Sequence, residues 1–249
     1  MNFLDNILFA IILTIGVGYF TLNVKKLIRN INLGRDVNRK DNSSERWKNM
    51  FMVALGQSKM VKRPIAGILH IIVYAGFVII NIEVIEIIID GLFGTHRVLS
   101  FLGGFYNVLI GSFEVLAVLV LVAVFIFWIR RNTIKLARFA SSDLKGAPKN
   151  DANYILYFEV VLMSLFLVMN AADFHLQNLG IGHYNQVGSF PISQYIAPLF
   201  NGMSEGLVII IERAAWWLHI VGILIFLNYL YFSKHLHILL AFPNTFYAD

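Results

Sequence analysis

Residues 64–89 read PIAGILHIIVYAGFVIINIEVIEIII, and this stretch decides the fold. It is long enough to cross the hydrocarbon core of a bilayer, which takes about 20 predominantly apolar residues in a helix. One histidine, His70, and two acids, Glu83 and Glu86, interrupt it. Ionisable side chains inside a membrane helix are costly and tend to serve a function. The stretch therefore predicts a transmembrane helix that carries a functional site.

Four other stretches have the same length and apolar character. Of the 249 residues, 58% are hydrophobic and only 14% are charged, whereas soluble domains carry roughly a quarter charged residues. We therefore predict an all-α integral membrane bundle of five helices that forms a single domain over residues 1–249. The other four spans are residues 3–24, 105–129, 154–172 and 206–232.

Basic residues mark alternate connections between these spans. Residues 25–63 hold eleven Lys or Arg against three acids, and residues 130–152 hold six against two. Residues 91–104 hold only Arg97, and residues 174–204 hold no Lys or Arg. The positive-inside rule places the two basic connections in the cytoplasm. We expect an N-terminus outside, a cytoplasmic C-terminus, and a multi-pass protein of the inner (cytoplasmic) membrane.

The composition also excludes some functions. The chain contains no cysteine, which excludes disulfides and thiolate-held iron–sulfur clusters within these residues. The net charge of +5 reflects orientation in the lipid bilayer, and we predict no nucleic-acid partner.

Three of the seven histidines lie within or just beside the apolar spans, where ionisable side chains are uncommon. His70 lies about two turns into the second span, His219 near the middle of the fifth, and His237 just past its cytoplasmic end. A neutral imidazole is a good axial ligand for haem iron. If the last helix continues, the 18 residues from His219 to His237 make five whole turns and roughly 27 Å, so both share a face. His235 would then lie on another face and be the poorer ligand.

Two alternatives stay open at this point. A hydrogen bond to a neighbouring helix would explain each histidine on its own. Three histidines with this spacing and on matching helix faces favour haem ligation instead. The depth of the histidines in the membrane does not decide whether His70 shares a haem with His219 or with His237. His70 lies roughly 9 Å inside the cytoplasmic end of its helix, His219 lies roughly 20 Å from that side, and His237 lies slightly beyond it.

The motifs around these histidines resemble a known family. LHI at 69–71 followed by GFV at 76–78 is similar to the second helix of the respiratory nitrate reductase gamma subunit. LH at 218–219, FSK at 232–234 and the following His237 are similar to its last helix. The five-helix layout with an outside N-terminus is shared, as is the broader relation to the membrane subunits of heterodisulfide reductases.

This resemblance implies a quinol-linked cytochrome b of a respiratory chain with two haems b. His70 and His237 would hold the haem near the cytoplasm, and His219 would ligate a second haem nearer the outside. The redox partners would be menaquinone or another quinone and a cytoplasmic iron–sulfur protein or domain. The sequence departs from the family at Ile80, where the family has a second histidine. The outer haem would then be five-coordinate, borrow a ligand such as His175 or Met169, or be absent.

Acids in or near the spans are a second feature: Glu83, Glu86, Glu114, Glu159 and Glu212. Quinol oxidation releases protons, so a carboxylate beside the quinone is a useful acceptor. Glu212 lies two turns outward of His219 on nearly the same helix face, and we take it as the candidate acceptor. The alternative is that these acids reach the interface or pair with Arg213 or Arg97.

Three functions compete. The first is a haem b electron-transfer subunit between the quinone pool and an iron–sulfur oxidoreductase. The second is a cofactor-free membrane anchor for a cytoplasmic enzyme, and the third is a small transporter or proton channel, which no pair of broken helices supports. Because proteins that resemble this one often continue into a cysteine-rich domain, we expect either a separate iron–sulfur partner or a longer parent chain.

Overall fold

The computed structural model describes residues 3–35, 41–134, 146–182 and 184–248. Within these ranges the chain forms helices and turns and no strand. The helices are α1 (Phe3–Ile31), α2 (Ser43–Met50), α3 (Pro64–Phe93), α4 (Gly104–Asn132), α5 (Ala147–Leu179), α6 (Ser193–Ile196), α7 (Glu205–Leu230) and α8 (Leu236–Phe246).

Five of these helices, α1, α3, α4, α5 and α7, are long and apolar enough to cross a membrane. They form a closed ring in which α1 packs on α3, α3 on α4, α4 on α5, α5 on α7, and α7 back on α1. Many large apolar side chains point away from the ring and are exposed, as expected where lipid is the solvent. The predicted all-α bundle of five spans is confirmed.

The helices are longer than the apolar stretches. α1 continues past the predicted end at residue 24 to Ile31, because lysine and arginine are good helix formers whose charged ends reach water at the interface. α5 begins at Ala147 and runs to Leu179, so it includes the polar residues Asp173 and Gln177. These two side chains are buried and bonded, which is why the helix does not end before them.

The ring has two distinct ends. We call the end with the described parts of connections 32–63 and 133–146, together with residues 231–248, the basic end. The opposite end, with connections 94–103 and 180–204, is the far end. At the basic end α2 and a following π-helical turn, Phe51–Leu55, pack against α8. The Trp47 and Phe246 rings lie 5.2 Å apart, and Asn49 Nδ2 donates to the Thr245 carbonyl at 2.6 Å.

Close approach of helices fixes α1 in the ring. A Cβ atom on Gly91 of α3 would lie 2.6 Å from the Phe9 ring, so only glycine admits this phenylalanine. Phe9 also contacts Trp216 and Trp217 of α7, at 5.4 and 5.9 Å between ring centroids. The two tryptophans therefore serve helix packing, and Phe9 joins three helices at one point.

Candidate functional site

A large cavity lies inside the basic end. Its volume is about 540 Å³, within the range of roughly 300–1,000 Å³ that is typical of small-molecule and cofactor sites. Its walls come from α3, α4 and α5, and residues of the π-helical turn and α8 close it at the basic end. The walls are mainly apolar, with Val73, Phe77, Val124 and Phe127 among them. Such a cavity suits a large, mostly apolar ligand.

Three histidines from distant parts of the sequence line this cavity: His70, His235 and His237. The Nδ1 atom of His70 is buried and has no hydrogen-bond partner in the described part of the chain. The rings of His235 and His237 lie 5.6 Å apart. The fold therefore brings together the two residues that the resemblance assigns to the inner haem, His70 and His237.

The ring of His237 is oriented by the backbone. Its Nδ1 lies 2.7 Å from the carbonyl oxygen of Lys234, which accepts a hydrogen bond when Nδ1 carries the proton. In that tautomer Nε2 has the free lone pair and is the nitrogen that binds a metal. A backbone bond of this kind is the usual support of a metal-binding histidine.

The expectation that the last helix continues to His237 is wrong. α7 ends at Leu230, and α8 begins at Leu236 after a turn. The Asp151 carboxylate stabilises this turn, because it accepts bonds from Tyr229 Oη at 2.5 Å and Lys234 N at 2.9 Å. His219 and His237 therefore do not share one helix face.

The turn after Leu230 removes the helix-face argument against His235 as a ligand, because that argument assumed a continuous helix. His235 lines the same cavity as His237, so the helix-face argument does not separate them. Burial, with a smaller contribution from His237, lowers the pKa of His235 to about 4. Its imidazole is therefore neutral at physiological pH. The choice of His237 as ligand rests on the family motif and on its backbone support.

His219 occupies a different environment in the middle of the bundle. It is 1% exposed, and its Nδ1 lies 3.0 Å from the Leu162 carbonyl oxygen. The cavity beside it measures about 70 Å³, well below the roughly 300 Å³ at which cofactor sites begin. Ile80 lines that same cavity, so an apolar side chain does face His219 where the family has a ligand. This space does not fit a haem.

The substitute ligands considered for an outer haem do not line the cavity beside His219. Met169 lines a different cavity, at the far end. The His175 ring contacts Phe200, 6.1 Å away between centroids. His183, in the connection that follows α5, lies outside the described residues.

Glu212 is firmly bonded within the far end. It forms an ion pair with the neighbouring Arg213, and its Oε2 also accepts a bond from Tyr184 Oη at 3.0 Å. The predicted alternative, that this acid pairs with Arg213, is therefore confirmed. Both carboxylate oxygens are occupied, which leaves Glu212 poorly suited to accept a proton from a quinol.

The far end also holds a buried polar network that the sequence did not predict. Arg97 is 6% exposed, and its Nε donates to Asp173 Oδ2 at 2.5 Å. Its other nitrogens donate to Asn170 at 2.9 Å and to Tyr106 at 3.3 Å. Burial disfavours the charge of Arg97, but Asp173, Tyr106 and Glu83 together outweigh this effect, and the pKa of Arg97 stays raised above its usual value. The lone arginine of a short loop between apolar spans was the available signal.

Glu159 is a second residue without an assigned role. It lines both the large cavity with His70 and the small cavity with His219. The sequence identified it only as one of several acids, since its position between the two cavities depends on how α5 packs.

Comparison with known proteins places the chain among relatives of oxidoreductases. It is 31% identical over 241 residues to the probable iron-sulfur-binding oxidoreductase FadF of Bacillus subtilis, covering 97% of this chain and 32% of the relative. It is 22% identical over 220 residues to the EtfAB:quinone oxidoreductase of Syntrophomonas wolfei, covering 86% of this chain and 29% of the relative. The chain is an oxidoreductase-related membrane protein.

The chain spans about a third of the length of these curated relatives. No family model matches it, and no solved structure matches it at a significant level. The narrower resemblance to nitrate reductase gamma subunits and heterodisulfide reductases stays a prediction.

Proposed function

We propose that this chain binds one haem b in the large cavity and transfers electrons between a membrane quinone and an iron–sulfur protein or domain at the basic end. The observation that supports this most strongly is the position of His70 and His237 on one cavity of about 540 Å³. His70 and His237 would be the residues that hold the haem iron, since imidazole is a common haem ligand. A haem so held supplies reversible one-electron transfer.

The residues of the cavity fit this group in three respects. The buried Nδ1 of His70 lacks a partner, and a group bound in the cavity would explain the position of this imidazole. Lys59 lies at the exposed rim of the cavity, where its ammonium group suits the propionate carboxylates of haem b. The apolar walls suit the porphyrin and exclude water, which helps to set the redox potential.

The protein's own part in electron transfer is to hold and shield the cofactor. The carbonyl of Lys234 orients the His237 ring, and the rigid helix α3 carries His70. The π-helical turn and α8 close the cavity toward the basic end. These elements would therefore separate the bound group from the surface that we expect to face the cytoplasm.

The partners are proposed from the names of the relatives and from the site. One relative is named an iron-sulfur-binding oxidoreductase, and the other a quinone oxidoreductase. Because this chain has no cysteine, an iron–sulfur cluster would have to belong to another protein or to a further part of a longer chain. The inner membrane, which holds both quinone and cytoplasmic partners, is the proposed location.

An optical experiment tests the proposal. The chain is purified from cells supplied with haem, and a menaquinol analogue is added to the oxidised protein. We expect a reduced b-type spectrum to appear, and we expect the His70→Ala variant to lack it. A wild-type protein that is monodisperse but colourless would overturn the proposal in favour of a cofactor-free anchor. If dithionite reduces the haem but quinols do not, the haem-binding part of the proposal stands and the quinone part is wrong.

A further inference from the structure

The far end contains a second, much smaller cavity of different chemistry. Its volume is about 30 Å³, and a buried polar cavity needs roughly 10–15 Å³ for each water molecule. It therefore has room for one or two waters. The exposed Thr95 and the partly exposed His96 line it, so it lies just beneath the surface of the far end.

Glu83 of α3 lines this cavity at its deepest part along the helix. The residue is 2% exposed, and its Oε2 atom is buried without a hydrogen-bond partner in the described part of the chain. An ionised carboxylate in such a place would be shielded from bulk water and would have no cation in contact, which is a costly arrangement for a charge. A neutral carboxyl group avoids most of that cost.

The cations near this cavity are already engaged by other acids. Arg97 and His96 both bond Asp173, at 2.5 and 3.2 Å. Arg213 is paired with Glu212. No cation of the described residues is therefore left in contact with Glu83.

Two more acids of α3 are satisfied by groups other than cations. Asp90 accepts bonds from the backbone N–H groups of Arg97 at 2.7 Å and Val98 at 3.1 Å, and from Thr95 Oγ1 at 2.5 Å. Glu86 accepts bonds from the backbone of Leu99 at 2.8 Å and from Tyr106 at 3.0 Å.

Glu114 of α4 is held in the same way. It accepts bonds from Asn170 at 3.3 Å and from the backbone N–H groups of Ile192 and Ser193 at 2.8 and 3.1 Å. Among the described acids of this region, Glu83 therefore differs by its unbonded oxygen.

We propose that Glu83 is a proton-exchange group, which carries a proton in the resting protein and exchanges it with the far-end solution through water in the small cavity. The step is a simple transfer: the carboxyl O–H bond breaks, a bond to a cavity water oxygen forms, and the surplus proton passes on to bulk water. The reverse sequence restores the carboxyl group. No electron moves in this step, and no cofactor takes part.

This role explains an arrangement that the ion pairs alone do not explain. The fully bonded acids hold the loop 94–103 and the bundle in place, whereas an unbonded carboxyl beside a water-sized cavity is free to gain or lose a proton. After it has released its own proton to the far-end solution, Glu83 would also meet the need that the sequence assigned to Glu212, since quinol oxidation requires an acceptor for its protons. That use rests on the proposed function, whereas proton exchange at Glu83 does not.

Infrared spectroscopy of the purified protein, with or without haem, tests the proposal. A protonated carboxyl group in a poorly polar site has a C=O stretching band separate from that of a carboxylate, and the band moves to lower frequency in D2O. We expect wild-type protein at neutral pH to show this band and to shift it after transfer to D2O. Glu83→Gln should lose the band, and Glu83→Asp should keep it at an altered frequency. Glu205→Gln is the matched control, because this exposed acid lies at the same end.

Each other outcome overturns the proposal. A difference spectrum between wild type and Glu83→Gln without such a band would mean that Glu83 is ionised. A band that Glu83→Gln retains would belong to another acid. A band that fails to shift in D2O would mean that the group is sealed from water. Size-exclusion profiles that match wild type show that the variants are folded, and the absorption spectrum reports haem separately, so failure here is distinct from failure of the haem proposal.

Discussion

The two ends of the bundle solve the problem of polar groups in a membrane in opposite ways. The basic end keeps a cavity of about 540 Å³ with three histidines on its wall, and the His70 Nδ1 has no partner among the described residues. The far end contains more buried charge but leaves only about 30 Å³, because its acids other than Glu83 are bonded by arginines, backbone N–H groups and polar side chains. The difference teaches that buried polar groups indicate a ligand site where they are unsatisfied and surround space, and indicate structure where they are paired.

The largest expected effect concerns the histidines of the basic end. His70→Ala and His237→Ala should each abolish the low-spin b-type spectrum, because the iron would lose one of its two imidazoles. His235→Ala should retain it. Absorption and electron paramagnetic resonance spectra of the three variants make the measurement. Loss of the signal in His235→Ala with retention in His237→Ala would transfer the ligand role to His235.

The orientation of the two ends is tested by labelling, which this chain permits without background since it has no cysteine. A cysteine placed at Asn42, on the exposed surface of the basic end, should react with a membrane-impermeant maleimide only from the cytoplasmic side. A cysteine at Ser189, exposed at the far end, should react only from outside. The reversed pattern would place the proposed haem at the outer surface.

The far-end network should contribute strongly to stability. Arg97→Met removes the nearest cation of the buried Asp173 and leaves it with only His96 and Gln177 as partners, which should cost up to about 3–5 kcal/mol. Thermal unfolding in detergent should show this as a large decrease in Tm. Arg35→Met, at an exposed site of the basic end, is the control. If Arg97→Met together with Asp173→Leu is as unstable as the single variant, the pairing does not explain the loss.

Packing of α3 against α4 should have a smaller effect. A Cβ atom at Gly76 would lie 2.5 Å from Val120 Cγ2, so Gly76→Ala overpacks the helix contact and should cost about 1–3 kcal/mol. Gly18→Ala in α1 has no atom within 4 Å of the added methyl and should be neutral or slightly stabilising. Adding Val120→Ala to Gly76→Ala should recover part of the loss. Equal Tm values for both glycine variants would contradict the close approach.

Much of the fold and part of the site could be predicted from the sequence. The five spans follow from apolar length alone, and the family motifs are sufficient to select His70 and His237. The break after Leu230 could not be predicted, because no Gly or Pro marks it and its support comes from Asp151, 83 residues before Lys234. The Arg97–Asp173 pair was missed for a similar reason, since the two residues are 76 positions apart and only the packed bundle joins them.

The cavity beside His219 differs from the large cavity of the basic end in the same way. The resemblance assigns His219 to a second haem, whereas its environment is a hydrogen bond to Leu162, an apolar Ile80 nearby and a cavity of about 70 Å³. A residue can match a family's sequence motif although its surroundings do not fit the ligand that the family binds. We therefore expect haem b to bind at the basic end alone.

The haem-to-protein ratio of the purified chain distinguishes one haem site from two, with wild type and His219→Ala compared side by side. We expect one b-type haem for each wild-type chain and the same ratio in His219→Ala, because the haem lies in the cavity of His70 and His237. Two haems in wild type, with one lost in His219→Ala, would contradict the account and show that the bundle opens a second site around His219.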